Sequence, residues 1–331
     1  MKHNKISLFI LFILALGVTI WAFIFTTRTN DINISKYIGI TKDNKISKEK
    51  KVAEDEYEDY VIDQKDIQNI LLIGVDEGGY ENARSDVMII VTIDSDSNVI
   101  KLTSVMRDTL VHIPTSNTYQ KLNHSYMEGG PTETMAAINN NFDLNIENYV
   151  VFDFNAVKKS IDLVGGYPVN ISTGEAKDMK ISKGPRTLTG QEALSYMRVR
   201  YNSGGNAGRN QRQRDLILYI LNYAKNMNYK ELIELAINIM PDIKTSYSLK
   251  DISELINIYI AIIDGLQTEQ YNFPYEYQGT RLNDGLWYAV PRTMRTNVIE
   301  LQKNTFGFID YIPSNTVDNI SEQVSVRSNV K

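Results

Sequence analysis

The stretch NILLIGVDEGGYENARSDVMIIVTIDSDSNVIKLTSV, residues 69–105, decides the fold class. It holds three short apolar runs rich in β-branched residues, at 69–75, 86–93 and 99–105, with polar residues and glycine between the first two. Each run has the length and composition of a β-strand. Because the runs are almost continuously apolar, we expect a sheet that is covered on both faces.

A polar turn, IDSDSN at 93–98, joins the second and third runs. Asp94 and Asp96 form a D-x-D pair of the kind that binds a metal-nucleotide complex in some glycosyltransferases. Because the pair lies between two strands and beside Ser-Asn, the turn chemistry of these residues favours a hairpin over a metal site.

Strands and helices alternate through the following part of the chain. Further strands are predicted at 148–154 and 167–172, and helices at 132–142, 155–164, 189–197 and 212–227. This order predicts an α/β fold with a mixed central sheet flanked by helices on both faces, an αβα sandwich. Beyond it we expect a helical region over 229–264 and strands at 271–277 and 285–290.

The composition excludes several kinds of site. The chain has 331 residues, a formal net charge of -5 and no cysteine, so disulfides, thiolate metal sites and cysteine nucleophiles are excluded. His3, His112 and His124 are too few and too scattered for a zinc cluster. Because general binding to nucleic acid needs a basic surface, the acidic balance argues against a nucleic acid partner. Any anion site must therefore be local.

An uncharged segment near the N-terminus, ISLFILFILALGVTIWAFIFTT at 6–27, predicts a transmembrane anchor. A helix needs about 20 apolar residues to cross a ~30 Å hydrocarbon core. A cleavable signal peptide is the alternative, but its apolar core is ~7–15 residues and ends at a small-residue cleavage site. Lys2 and Lys5 place residues 1–5 in the cytoplasm by the positive-inside tendency. We therefore expect a single-pass protein of the cell membrane with its C-terminal domain outside.

The parts outside the anchor divide at changes in composition. Residues 28–66 mix charges without an apolar period, which predicts an extracytoplasmic tether. We expect the folded domain to span 67–313 and the polar tail at 314–331 to be loose.

Arginine is concentrated in the sequence RVRYNSGGNAGRNQRQR, residues 198–214, which has no lysine and no acidic residue. Arg198 and Arg200 are two residues apart, so an extended chain would point both to the same side. Arg209 opens the next predicted helix, and helix N-termini attract anions. Because guanidinium groups bind phosphate oxygens bidentately, the stretch predicts a phosphate or pyrophosphate site. The alternative is a set of arginines that are solvated or paired with surface acids.

Three glycines, at 204, 205 and 208, separate these arginines. They permit a tight turn and a close approach of the backbone to the phosphates. Arg212 and Arg214 lie further along the same predicted helix, where we expect them to face solvent or to pack on Asp215.

Charged residues flank the predicted strands of the opening stretch. Asp76 ends the first strand, Asp86 starts the second with Arg84 two residues before it, and Arg107 and Asp108 follow the third. Ligands of α/β sheets usually bind at strand ends. Two carboxylates brought together there repel each other unless a cation lies between them, and Mg²⁺ commonly uses one or two carboxylates plus phosphate oxygens. Each aspartate taken alone also suits a turn or cap.

Seven segments occur in a fixed order behind the apolar segment. They are NILLIGVD (69–76), ARSDVMIIVTID (83–94), LTSVMRDTLVHIP (102–114), KLNHSYMEGG (121–130), IDLVGGYPV (161–169), GPRTLTGQEALSYMRVR (184–200) and GRNQRQRDLIL (208–218). Together they resemble the LytR-CpsA-Psr family of bacterial cell-wall proteins. The resemblance covers about residues 69–228, and seven segments in register are specific.

The resemblance implies a function. Members of that family are membrane-anchored transferases that take a glycopolymer, such as teichoic acid or capsular polysaccharide, from an undecaprenyl-pyrophosphate carrier. They join it to peptidoglycan through a phosphodiester. For this chain the resemblance implies the same donor and acceptor, contact with membrane lipid, and an apolar pocket for the polyprenyl chain.

The resemblance also implies roles for individual residues. The residues that would hold the pyrophosphate are Arg84, Arg107, Arg198, Arg200 and Arg209, with Gln213 nearby. Asp76 and Asp86 would hold Mg²⁺ (or Mn²⁺). The candidate catalytic residues are Arg107, Asp108, Arg200 and Arg209. The arginines would stabilise charge on the transferred group. Asp108 would act as a general base or only orient Arg107.

The sequence departs from the family pattern at several positions. Met106 stands where the family usually has proline, Asn206 where an acidic residue is usual, and Arg214 where a second glutamine is frequent. The change at Asn206 puts a carboxylate role there in doubt.

Two other functions use the same arginines. One is a non-catalytic protein that binds polyprenyl-pyrophosphate lipids or glycopolymers, and the other is a lipid pyrophosphatase with water as the acceptor. A transcriptional regulator conflicts with an outward-facing domain and an acidic chain.

Overall fold

Twelve strands and seven α-helices make up the part of the chain that the computed structural model describes, residues 67–76, 83–94, 97–224, 238–247 and 267–330. The strands are β1 (Ile67–Val75), β2 (Val87–Asp94), β3 (Val99–Val105), β4 (Leu110–Ile113), β5 (Thr118–Lys121), β6 (Asn148–Asp153), β7 (Tyr167–Ile171), β8 (Gly184–Leu188), β9 (Ile243–Thr245), β10 (Gln267–Phe273), β11 (Tyr277–Arg281) and β12 (Trp287–Pro291). The helices are α1 (Leu122–Phe142), α2 (Phe154–Leu163), α3 (Thr173–Met179), α4 (Gly190–Arg198), α5 (Gly205–Ala224), α6 (Met294–Phe306) and α7 (Asn315–Ser328).

A six-stranded mixed sheet forms the centre, in the order β10-β3-β2-β1-β6-β9. Strand β1 pairs antiparallel with β2 and parallel with β6, while β3 pairs antiparallel with β2 and parallel with β10. The strands predicted at 69–75, 86–93, 99–105 and 148–154 are all present. The antiparallel β2–β3 pair also agrees with the hairpin predicted at 93–98, where the Ser97 amide donates to Asp94 Oδ1 at 3.0 Å.

Both faces of the sheet are covered, as the continuous apolar runs predict. Alternate residues of β1 enter opposite cores, with Ile70 and Leu72 on one side and Leu71 and Ile73 on the other. The first core is completed by residues of α2, α4 and α5, and the second by residues of α1, α6 and α7. The α/β fold with helices on both faces is therefore confirmed.

Side-chain caps fix where the helices near the sheet edge begin. Asp153, the last residue of β6, accepts hydrogen bonds from the Asn155 and Ala156 amides and so starts α2 directly after the strand. Thr189 and Glu192 form a reciprocal capping box at the start of α4. Such caps satisfy amides that have no partner within the helix.

The expectation of a loose tail at 314–331 is wrong. Ser314 caps α7, and Val317, Ile320 and Val324 of that helix are buried in the second core. Spacings of three and four residues put these side chains on one helix face, which packs against the rest of the domain.

The expectation of a helical region over 229–264 holds for residues 238–242, which are helical and include the 3₁₀ turn Met240–Asp242, but is wrong for the described residues after them. Residues Ile243–Thr245 form β9, which pairs antiparallel with β6 at the sheet edge. The rest of that region lies outside the described residues, as do the predicted anchor 6–27 and the tether 28–66. Among the described helices, none combines the length and the apolar character needed to cross a membrane.

Candidate functional site

Charged residues from several strands meet at one edge of the central sheet. Asp76 follows the end of β1, Arg107 lies two residues after β3, and Asp86 immediately precedes the antiparallel strand β2. The Asp86 amide donates to the Gly74 carbonyl at 2.8 Å, which fixes the start of β2 against the end of β1. The strand directions therefore bring together residues that are up to 31 positions apart in sequence, from Asp76 to Arg107.

A cavity of about 200 Å³, named the polar cavity for its charged lining residues, opens at this end of the strands. It is lined by Asp86, Phe154, Leu194, Met197, Arg198, Arg200, Arg209 and Gln213. Arg198 ends α4, and the chain is extended at Val199, with φ of −62° and ψ of 146°. Both Arg198 and Arg200 consequently reach the same cavity, as the extended geometry predicts. The structure thus gathers five of the predicted site residues around one space.

Arg107 lies beside this cavity, held between two carboxylates. Its Nη1 donates to Asp86 Oδ1, and its Nε lies 3.6 Å from Asp108 Oδ2. Lys121 Nζ donates to Asp108 Oδ1 at 3.0 Å. Since each oxygen of the Asp108 carboxylate has a cation next to it, the contacts of Asp108 are those of a residue that orients Arg107.

Asp76 and Arg84 are not among the residues that line the cavity. Asp76 accepts a hydrogen bond from Arg198, and about two thirds of its side chain, 67%, is exposed. Arg84 is exposed and is not one of the residues that line the cavity. Residues 77–82, which precede it, lie outside the described residues.

The positive charge in the cavity exceeds what the surrounding carboxylates neutralise. Arg209 is only 4% exposed, and its buried Nε has no hydrogen-bond partner among the described residues. Burial, and then the charge of Arg107, lower the pKa of Arg200, and this effect is opposed by Asp108 and Asp86. A buried guanidinium without a full set of acceptors is costly. The cavity is therefore built to receive an anion.

A small apolar cavity of about 50 Å³ adjoins the polar one. Its wall includes Leu72 and Val87 of the sheet, Ala156, Val157 and Ser160 of α2, and Leu216, Ile217 and Ile220 of α5, with Phe152, Ile239 and Ile243. Phe154, Met197 and Gln213 line both cavities. One stripe of α5 therefore runs from Arg209 through Gln213 to apolar residues, so apolar side chains lie next to the arginines of the polar cavity.

Two arginines of the arginine-rich stretch are buried, so the expectation that they face solvent or pack on Asp215 is wrong. Arg212 is 6% exposed and donates to the carbonyl oxygens of Val199 at 2.6 Å and Ser203 at 2.9 Å. It also donates to Glu175 at 3.3 Å. Arg212 therefore holds the turn that carries Arg200.

Arg214 ties α5 to the central sheet. It is 1% exposed, and its guanidinium donates to Ser104 Oγ at 2.8 Å, to Asn272 Oδ1 at 2.7 Å and to Gln270 Oε1 at 2.8 Å. These partners lie on β3 and β10. Arg214, which stands where a second glutamine is frequent in the family, therefore has polar partners in this chain.

Helix α5 begins at Gly205, seven residues before the predicted start at 212. Gly204 and Gly205 have φ of 87° and 61°, in the left-handed region that glycine tolerates best. An added Cβ at Gly208 would lie 2.2 Å from the Ser203 carbonyl oxygen. The close approach at Gly208 is therefore to the turn itself, and Arg209 lies inside the helix rather than at its start.

Sequence reasoning did not identify Phe154, Leu194, Met197 or Lys121 as site residues. The first three are apolar residues of helices with the same pattern as ordinary core positions, so no local signal separates them. His112 and His124 both have polar partners. The His112 ring contacts Asn140 and Asn117 at 3.2 and 2.9 Å, and His124 lies 3.2 Å from Glu128.

Comparison with known proteins shows which family the chain is similar to. The sequence model of the LytR_cpsA_psr family matches residues 34–305 of the chain. A polyisoprenyl-teichoic acid–peptidoglycan teichoic acid transferase TagU from Oceanobacillus iheyensis is 31% identical over 242 residues, which cover 69% of this chain and 72% of the relative. The TagU of Bacillus cereus is 30% identical over 236 residues, with 70% and 76% covered.

Solved structures share the fold. TagT of B. subtilis aligns with a TM-score of 0.58 at 24% identity, covering 74% of this chain and 94% of TagT. A LytR-CPS2A-psr family protein, YwtF (TagT), with bound octaprenyl pyrophosphate lipid aligns with a TM-score of 0.53 at 23% identity. That alignment covers 80% of this chain and 92% of the other.

Proposed function

The chain belongs to the LytR_cpsA_psr family, and we propose that it moves an anionic glycopolymer from an undecaprenyl-pyrophosphate carrier to peptidoglycan through a phosphodiester bond. The glycopolymer is a teichoic acid, a capsular polysaccharide or a similar polymer. The names of the TagU relatives describe such a transfer of teichoic acid to peptidoglycan.

One observation carries the proposal, namely that the arginine-lined polar cavity shares wall residues with an apolar cavity. Arg198, Arg200 and Arg209 surround the polar space, and Phe154, Met197 and Gln213 connect it to the apolar one. A polyprenyl pyrophosphate has the same order, a charged head followed by a hydrocarbon chain. Burial of the polyprenyl chain favours binding by about 0.8 kcal/mol per CH₂ group, and charge-assisted hydrogen bonds hold the pyrophosphate head.

The transfer follows from this placement. A peptidoglycan sugar hydroxyl attacks the glycan-side phosphorus, the new P–O bond forms, and the pyrophosphate bridge breaks. Undecaprenyl phosphate leaves with the bridging electron pair, and the hydroxyl proton is released. Arg198, Arg200 and Arg209 stabilise the charge that builds on the phosphoryl and leaving oxygens, because fixed cations in a partly buried site need little reorganisation.

Arg107 and Asp108 act together in this proposal. Arg107 adds a further cation beside the pyrophosphate, while Asp108 and Lys121 fix its orientation through the contacts described above. Asp108 is therefore a positioning residue, and we assign it no proton transfer. Arg84 is exposed and would contact only the outer part of the substrate.

Asp76 and Asp86 suit a divalent cation. They flank the ends of adjacent strands, and carboxylate oxygens with phosphate oxygens are ligands that Mg²⁺ prefers. Oδ1 of Asp76 pairs with Arg198 and Oδ1 of Asp86 with Arg107, so Mg²⁺ (or Mn²⁺) would take the second oxygen of each carboxylate together with phosphate oxygens of the substrate. The ion would supply charge neutralisation on the pyrophosphate.

The location of the reaction rests on the sequence. The apolar segment at 6–27 would anchor the chain, and the tether at 28–66 would hold the domain near the outer membrane surface, where lipid-linked donor and peptidoglycan meet. The short N-terminus at 1–5 would lie in the cytoplasm.

Reconstituted transfer tests the proposal. The 331-residue chain in detergent should join a labelled glycopolymer from a lipid-linked donor to peptidoglycan, and Arg200→Ala or Arg107→Ala should lose almost all of this activity. Arg295→Ala is the matched control, because Arg295 pairs with Asp318 between α6 and α7 on the other side of the sheet. A fully active Arg200→Ala variant would contradict the assignment.

A further inference from the structure

Tyr201 is unusual in its exposure. Its side chain is 97% exposed, against 78% for Ile309, which comes next among the large hydrophobic residues of the described part of the chain. Tyr223 and Tyr277 are the other exposed tyrosines there, each at 39%. Tyr201 directly follows Arg200, which lines the polar cavity, and adjacent Cα atoms are about 3.8 Å apart. An almost fully exposed aromatic residue therefore directly follows a residue that lines the polar cavity.

The turn that carries Tyr201 is held from both ends. The Gly205 amide donates to the Arg200 carbonyl at 2.9 Å and closes the turn. The Asn202 amide and the Ser203 hydroxyl donate to Asp178 Oδ2 at 3.1 and 3.0 Å. These bonds act on the residues on both sides of Tyr201, while its own side chain remains almost fully exposed.

Two further contacts fix the same turn from below. Arg212 donates to the Ser203 carbonyl at 2.9 Å and Val199 at 2.6 Å. An added Cβ at Gly174 would lie 1.7 Å from the Asn202 carbonyl oxygen, so α3 packs directly on the turn. Because of these tertiary contacts, we expect the backbone of the turn to be ordered although the side chain of Tyr201 is exposed.

A fixed backbone that presents a solvent-exposed aromatic ring has the properties of a binding platform. The turn is already ordered in the free protein, so a ligand that packs on the ring causes little further loss of conformational entropy in the turn. The faces of aromatic rings offer a large apolar area with few rotatable bonds. The apolar C–H face of a pyranose ring is complementary to that surface.

The positions of the two cavities indicate which part of the donor would lie near Tyr201. The hydrocarbon chain would leave the arginines through Phe154, Met197 and Gln213 into the apolar cavity, so the sugar on the other phosphate must leave towards solvent. We propose that the ring of Tyr201 stacks on the sugar that is joined directly to the pyrophosphate, and so makes Tyr201 a donor-binding residue. This inference rests on the proposed function, because it needs a sugar-bearing lipid pyrophosphate in the polar cavity.

Two lipids separate this contact from the rest of the site. The affinity of the 331-residue chain would be measured in detergent for undecaprenyl pyrophosphate alone and for undecaprenyl pyrophosphate that carries one N-acetylhexosamine. Tyr201→Ala should weaken binding of the sugar-bearing lipid roughly three- to tenfold, the size of an aromatic stacking contact, and leave binding of the bare lipid unchanged. Tyr201→Phe and Tyr201→Trp should retain the wild-type affinity, since both keep the ring. Tyr277→Ala is the control for loss of an exposed tyrosine.

Each other outcome has a defined meaning. Equal losses for both lipids in Tyr201→Ala would overturn the inference and show that the residue only supports the turn. An unchanged affinity for the sugar-bearing lipid would overturn it as well. A wild-type chain that binds both lipids equally well would overturn it without touching the proposed function, whereas a wild-type chain that binds neither would contradict the proposed function itself.

Discussion

The guanidinium of Arg198 lies over the ring of Phe154, with 4.3 Å between Arg198 Cζ and the ring centroid. Phe154 is the first residue of α2 and lines both the polar and the apolar cavity. The pair therefore stands where the environment changes from charged to apolar. We infer that it sets the depth at which a lipid pyrophosphate comes to rest.

Replacing Phe154 by leucine tests this role. Leucine keeps an apolar wall but loses the cation–π contact, which contributes about 0.5–1 kcal/mol at partly exposed sites. We expect the KM for the lipid-linked donor to rise roughly two- to fivefold with little change in kcat, because the arginine is less well placed. Steady-state transfer kinetics measure both constants. A large fall in kcat with an unchanged KM would contradict a role in donor placement.

The buried Arg212 should resist even a conservative replacement. Lysine keeps the charge but lacks the planar fork that reaches the Val199 and Ser203 carbonyls and Glu175 together. We expect Arg212→Lys to lower the free energy of unfolding by about 1–3 kcal/mol, because buried acceptors lose their donors. Urea titration followed by circular dichroism measures this. Arg295→Lys at an exposed pair is the control and should change it by less than about 0.5 kcal/mol.

Acid should destabilise the turn near the site. Burial acts to raise the pKa of Glu175, but hydrogen bonds from Ser172 and Tyr196 and the charge of Arg212 outweigh it, so the pKa is lowered from 4.5. The hydrogen bond from the Asn202 side chain lowers the pKa of Asp178 from 3.8. The folded chain then binds fewer protons than the unfolded chain between the lowered and ordinary pKa values.

Stability should accordingly be complete above the ordinary pKa values and should decline as the pH falls towards the lowered ones. Urea titrations between about pH 3 and pH 6 would show this decline. The contribution of Glu175 should disappear in Glu175→Gln, whose stability should change less over the same range. A pH dependence identical in both proteins would contradict the assigned ion pair with Arg212.

Removal of divalent cations tests the Asp76 and Asp86 pair. We expect a chelator to abolish transfer and Mg²⁺ or Mn²⁺ to restore it. In Asp86→Asn the Mg²⁺ concentration for half-maximal restoration should rise at least about tenfold, whereas Asp310→Asn, at an exposed position between α6 and α7, should behave as the wild type. Full activity of a metal-free preparation would show that the carboxylates serve only Arg198 and Arg107.

Most strands of the central sheet and the charged residues of the site could be predicted from the sequence. The apolar runs of β1, β2 and β3 are too short and too rich in β-branched residues to suit much other than buried strands. The charged residues at their ends meet because the strand order brings those ends together. The resemblance to a family then indicated which of the arginines would hold the pyrophosphate. Tail residues 314–331 also had a readable signal, since Ser314 precedes apolar residues spaced three and four apart.

Other features depend on tertiary context that no local pattern contains. Arg212 and Arg214 read as solvent-facing because arginine is rarely buried, yet each has acceptors supplied by distant residues such as Glu175 and Asn272. The apolar cavity was expected from the resemblance alone. Phe154 could not be distinguished from a core residue, because only the packing of α2, α4 and α5 leaves space beside it.

Release of undecaprenyl phosphate tests the central claim most directly. The 331-residue chain would be given a lipid-linked glycopolymer with and without peptidoglycan, and free undecaprenyl phosphate and glycopolymer-bearing peptidoglycan would be quantified together. For the proposed transferase, the two products should appear in equal amounts and only when peptidoglycan is present. Release of undecaprenyl phosphate and phosphate-ended glycan without peptidoglycan would contradict it and show that water is the acceptor.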